Sequence, residues 1–159
     1  MIGIFGMPSS LSNTYYYLNN KWQGSGIAFQ IMMFVLAALL IYPWMYATTI
    51  ISAWSIYLGV LPFITCVMIM FVAMAPNFRQ DFYTEEIHMT CAKICAGTAL
   101  AWVAAVCWQI AYIIPLWMGV LWLIAWLTGT MKSGRDWWWE MCAFGPTFTA
   151  IITELALHI

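Results

Sequence analysis

Long apolar runs alternate with short polar breaks along this chain, and the runs have the length of helices. Residues 31–41 contain no polar position at all. A strand facing a polar lumen would alternate between oily and wet residues, so this run argues against a membrane barrel. A helix satisfies its own backbone N–H and C=O groups, which hydrocarbon demands. A bilayer core of about 30 Å is crossed by about 20 helical residues. On that length the pattern predicts about five spans, near 27–46, 52–75, 87–109, 113–130 and 138–158. Residues 1–26 are expected to form an interfacial N-terminal segment. The predicted fold class is all-α, a polytopic integral membrane helical bundle with residues 1–159 in a single domain.

Turn chemistry supports those divisions. Gly24-Ser25-Gly26 precedes the first run, and Pro43 lies near its end. Ala75-Pro76-Asn77 closes the second, Pro115 marks the turn between the third and fourth, and residues 129–134 form a turn-rich, basic break.

Composition sharpens the setting. Charged residues make up 7% of the chain and hydrophobic residues 65%, with a mean hydropathy of +0.86. Soluble domains are about a quarter charged, so lipid is the expected solvent and the bilayer the expected partner. The chain carries 11 Trp and 8 Tyr, many at the ends of apolar runs, where aromatic belts form. A net charge of -1 offers no field for nucleic acid. Residues 1–7 lack both the length and the basic residue of a cleavable leader. The cysteines Cys66, Cys91, Cys95, Cys107 and Cys142 all fall inside apolar runs, which predicts buried free thiols.

Topology follows from the few charges. With five spans, Lys21, Arg79, Lys132 and Arg135 share one side, and Lys93 lies just inside the third span on that side. The breaks at 47–51 and 112–114 carry no basic residue. The positive-inside rule then places the N-terminus in the cytoplasm, and the expected location is a bacterial inner membrane.

Candidate chemistry gathers on two helices. In the fifth span, Glu140, Thr147, Glu154 and His158 fall within about 40° of one line at helical spacing. Carboxylates near the centre of a span cost about 2.5–3.5 kcal/mol, so they are kept where they face water, a proton path or a partner. Gly145-Pro146 interrupts this stripe, and Pro146 removes a backbone hydrogen bond. In the third span, Glu85, His88, Cys91 and Cys95 share one face. Their ligand types suit a transition metal, but no second cluster completes the set, so no metal site is expected. The residues identify no cofactor. Gly97, Ala101 and Ala105 repeat at four-residue spacing, which predicts close packing of this central helix. Lys93 is expected to pair with Glu86, Asp136 or Glu140. Ser9, Ser10 and Ser12 have no local base, so the expectation is that no residue is catalytic.

The stretches PSSLSNTYYYL (8–18), MAPNFRQDF (74–82) and EEIHMTCA (85–92) together resemble a group of small polytopic membrane proteins in gut-type bacteria and their phages. More distantly, Ser12-Asn13-Thr14 followed by His88 at the head of a small-residue helix resembles the DRAM/FRAG-type membrane families. Asn13 stands where those families usually carry an acidic residue. The resemblance implies a six-span-like bundle with its polar residues at one mouth.

The reading that follows is a multi-pass membrane protein that binds or passes a small polar, ionic or lipid-headgroup ligand. Its mouth would be Glu85, Glu86, His88, Lys93, Arg135, Asp136 and Glu140, and its pathway Thr147, Glu154 and His158. The alternatives are an accessory subunit of a larger membrane complex, with a homo-oligomer or other membrane partners, and a lipid hydrolase using Ser12 or His88.

Overall fold

The computed structural model describes residues 13–52, 54–74 and 82–158. All regular elements among them are helices: α1 (Thr14–Lys21), α2 (Ser25–Ile51), α3 (Ser55–Leu58), α4 (Val60–Met74), α5 (Phe82–Val106), α6 (Ile113–Leu127) and α7 (Arg135–His158). A short 3-10 turn, Trp108–Ile110, links α5 to α6.

Four helical segments are long and apolar enough to cross a membrane: Ser25–Ile51, Ile56–Met74, Glu85–Val106 and Trp108–Leu127. The fifth expected span corresponds to α7. It has 24 residues, but Arg135, Asp136, Glu140 and Glu154 make it more polar than the other four. The first helix also runs further than its pattern predicted. Pro43 lies inside α2, and the helix continues past it to Ile51. A proline removes one hydrogen bond and bends a helix, but packing beyond it can carry the helix onward. Here Ala47 and Thr48, in the turn after Pro43, are both fully buried.

The helix ends follow local chemistry. Gly24 holds φ at +85° between α1 and α2, and its N–H donates to the Asn19 side-chain oxygen at 2.9 Å. Gly129 ends α6 with φ +67°. The Thr130 N–H reaches the Ala125 carbonyl at 2.9 Å, and the Gly129 N–H reaches Trp126 at 3.1 Å. That paired closure satisfies carbonyls the helix end would otherwise leave bare. The α6–α7 turn is then stapled by the Trp138 indole N–H donating to the Thr130 hydroxyl at 3.1 Å.

Helices α2, α4, α5 and α7 pack in a ring in that order, with α7 closing back on α2. Helix α6 packs chiefly against α7, outside the ring. Antiparallel neighbours are registered by polar contacts. Gln30 on α2 donates to the Ala73 carbonyl on α4 at 2.7 Å. Thr65 on α4 meets Thr98 on α5 at 2.7 Å. Across the ring, Trp102 on α5 hydrogen-bonds Thr48 on α2, and the Trp44 and Trp102 rings meet edge to face at 5.5 Å. The main core joins these indoles to Cys66, Ala99, Val103, Val106, Cys107, Ile113 and Ala150.

Helix α5 is central, as its sequence predicts, but through a different face. Cys91, Cys95, Ala99, Trp102 and Val106 are buried, whereas Gly97, Ala101 and Ala105 are exposed. Small residues permit close approach without compelling it. The face bearing the large Trp102 and Val103 gains more by burial, at about 25 cal/mol per Å² of apolar surface.

Candidate functional site

The polar residues of the two candidate helices divide into a buried set and an exposed set. His88 on α5 is 4% exposed, Thr147 on α7 is 3% exposed, and Glu154 on α7 is 7% exposed. These three are turned into the molecule. Glu140 is half-buried. By contrast Glu85, Glu86, Lys93, Arg135 and Asp136 are all exposed.

Helical geometry produces the buried set. Glu140, Thr147 and Glu154 recur every seven residues, about two turns, so they share one face of α7 and rise about 21 Å from first to last. Helix α5 runs in the same direction and packs on α7. On α5, His88, Cys91 and Cys95 line the buried side. The seam where α5 packs on α7 thus joins two helices that each bury polar groups: an imidazole and thiols on α5, a carboxylate and a hydroxyl on α7.

The Thr147 hydroxyl donates to the Ala143 carbonyl at 2.8 Å. Cys107 lies between α5 and the 3-10 turn. Burial pushes its thiol up to about 12, and the negative charge of Glu154 adds to the effect. A thiol held neutral there is a poor nucleophile and a poor metal ligand. Among the described residues no three His, Cys, Asp or Glu side chains are grouped to hold a metal ion.

Arg135 and Asp136, adjacent in sequence, pair with each other at 3.6 Å, with both side chains well exposed. Lys93, expected to pair with Glu86, Asp136 or Glu140, is exposed on α5, where a long stem carries its charge outward. Ser12, Arg79 and Asp81 lie outside the described residues. So does the His158 side chain, although its backbone ends α7.

Sequence reasoning missed the indole contacts between α6 and α7. Trp117 on α6 lies against Gly145 on α7, where an added Cβ would sit 2.9 Å from the ring. Its N–H donates to the Thr149 hydroxyl at 3.2 Å. Gly145-Pro146 was legible as a break, but nothing in the local sequence names the residue that covers it. No family model, curated protein or solved structure matches the chain.

Proposed function

We propose that this chain is a multi-pass integral membrane protein that passes a proton or small cation along the seam between α5 and α7. Exposed apolar surface supports the membrane reading: Ile56 is 88% exposed, Tyr42 76% and Met74 68%. Only 11% of the apolar window of α2 is buried against other helices. Such faces suit hydrocarbon and would aggregate in water. Helix α7 then makes a fifth crossing, with its polar face turned to α5 and away from lipid. The excess of basic residues near one end supports an inner-membrane protein with that end in the cytoplasm.

The observation that carries the transport reading is the burial of Glu154 and Thr147 on the same face of α7. An interfacial carboxylate reaches headgroup water cheaply, whereas a carboxylate turned inward marks a path or a partner. Acidic groups near both ends of the seam, with no basic residue between them on α7, select positive charge. The exposed residues Glu85, Glu86, Lys93, Arg135 and Asp136 supply the charged rim.

Reconstitution into liposomes tests the reading. The parent protein is expected to dissipate an imposed proton or cation gradient. Glu154→Gln is expected to slow it at least about tenfold while thermal stability holds, and Glu85→Gln to leave it unchanged. Flux no faster than empty liposomes would rule the reading out.

A second reading, an accessory subunit, is favoured by one observation. Gly97, Ala101 and Ala105 form a smooth exposed strip on α5, the kind of surface on which another membrane helix packs. Purification with a stoichiometric partner and no flux alone would select it.

A further inference from the structure

Trp117 covers the one point where α7 is interrupted. Pro146 is fully buried and has no N–H to donate to the Cys142 carbonyl, so one bond is missing from the helical ladder there. Gly145, just before it, has no side chain, and the Trp117 ring lies against its backbone. A Cβ at 145 would fall 2.9 Å from Cε3 and 3.0 Å from Cδ2 of that ring. The Trp117 N–H donates to the Thr149 Oγ1 at 3.2 Å, and the same hydroxyl donates to the Gly145 carbonyl at 2.8 Å. Ring, hydroxyl and carbonyl thus close a loop around the break. Trp117 also packs against both hydrophobic clusters of the molecule.

We propose that Trp117 is a positioning residue for the seam: by clamping Gly145-Pro146 it fixes the direction of the outer half of α7. The consequence for function rests on the transport reading above, but the clamp itself does not. A helix lacking a ladder bond bends more readily at that point than elsewhere. Glu154 lies eight residues beyond Pro146, about 12 Å along the axis, so a 15° bend would move it about 3 Å. That is enough to take its carboxylate out of register with α5. Trp117 therefore acts on the pathway through Thr147 and Glu154, without lining it.

The test uses full-length protein in lipid nanodiscs and liposomes, with hydrogen–deuterium exchange and flux as separate readouts. Thr149→Val removes both hydrogen bonds with little change of shape, Trp117→Phe removes the donor, and Thr149→Ser restores the relay. Thr149→Val and Trp117→Phe are expected to speed exchange over residues 147–155 by roughly 3- to 10-fold, the scale of one net hydrogen bond. Thr149→Ser is expected to stay within about twofold of the parent. The double variant Trp117→Phe/Thr149→Val is expected to exceed the larger single effect by little, since both remove one shared contact. If Trp117→Phe fails to fold, Thr149→Val decides alone. Exchange equal to the parent in Thr149→Val overturns the clamp. Faster exchange with flux equal to an active parent overturns the positioning role. Faster exchange in a protein whose parent shows no flux keeps the clamp and sinks the transport reading instead.

Discussion

The indole N–H of Trp102 donates to the hydroxyl of Thr48 across 2.9 Å, joining α5 to α2 through the middle of the ring. Both residues are fully buried. The Thr48 hydroxyl passes its own proton to the Trp44 carbonyl at 2.9 Å, so it serves two partners on two helices. Hydrogen bonds between membrane helices average about 0.6 kcal/mol and reach about 1.7.

This core offers a comparison of two tryptophans. The Trp44 N–H is buried without a hydrogen-bond partner among the described residues, whereas the Trp102 N–H is satisfied. Trp102→Phe should therefore destabilise the protein more than Trp44→Phe, by about 1 kcal/mol, since only the first loses a bond. Thr48→Val should cost about 1–2 kcal/mol by stranding the Trp102 donor. Unfolding in detergent, run as a double-mutant cycle on Thr48 and Trp102, measures the coupling.

Two glycines set a second contrast. An added Cβ at Gly26 would fall 2.7 Å from the Tyr15 ring, and one at Gly145 would fall 2.9 Å from the Trp117 ring. Tyr15 stands on the short helix α1 and can swing outward. Trp117 is held by a hydrogen bond and by two clusters. Gly26→Ala should cost under about 0.5 kcal/mol, and Gly145→Ala about 1–3 kcal/mol, the range for overpacking a fixed site. Thermal melts of the two variants check the order.

The seam has a chemical signature at Cys107. Its raised thiol pKa, first from burial and then from Glu154, means the native group stays protonated where an exposed thiol ionises. Folding thus favours the neutral form. The stabilisation is complete below the ordinary thiol range and is lost as pH rises toward about 12. With the other cysteines replaced, maleimide labelling of native protein should stay slow and nearly flat from pH 7 to 9. The detergent-unfolded chain should label faster as pH rises over the same interval. A native rate that rises in parallel with the unfolded rate would show Cys107 to be accessible.

Much of this architecture was legible in the residues. Apolar run length gave the helices, and residues 31–41 alone separated helix from barrel. Seven-residue spacing places Glu140, Thr147 and Glu154 on one face of a helix. What spacing could not give was which face turns inward. On α5 two stripes competed, Gly97-Ala101-Ala105 and Cys91-Cys95-Ala99, and only the volume of Trp102 and Val103 across the ring decided for the second. The exposure of Glu85, Lys93 and Asp136 follows from a related fact. Charged side chains on a helix surface gain little from meeting one another. Trp117 was beyond reach because its partner, Gly145, is 28 residues away and marks itself only by lacking a side chain.

The crossing of the bilayer by α7, with its acidic face inward, is the claim on which the functional account stands. Single cysteines at Lys132, Tyr112 and Leu157, introduced into a cysteine-free background, can be labelled from either side of sealed vesicles. Leu157→Cys should react from the same side as Tyr112→Cys and from the side opposite Lys132→Cys. Labelling of Leu157→Cys from the Lys132→Cys side would mean that α7 returns without crossing, and the seam would then lead nowhere.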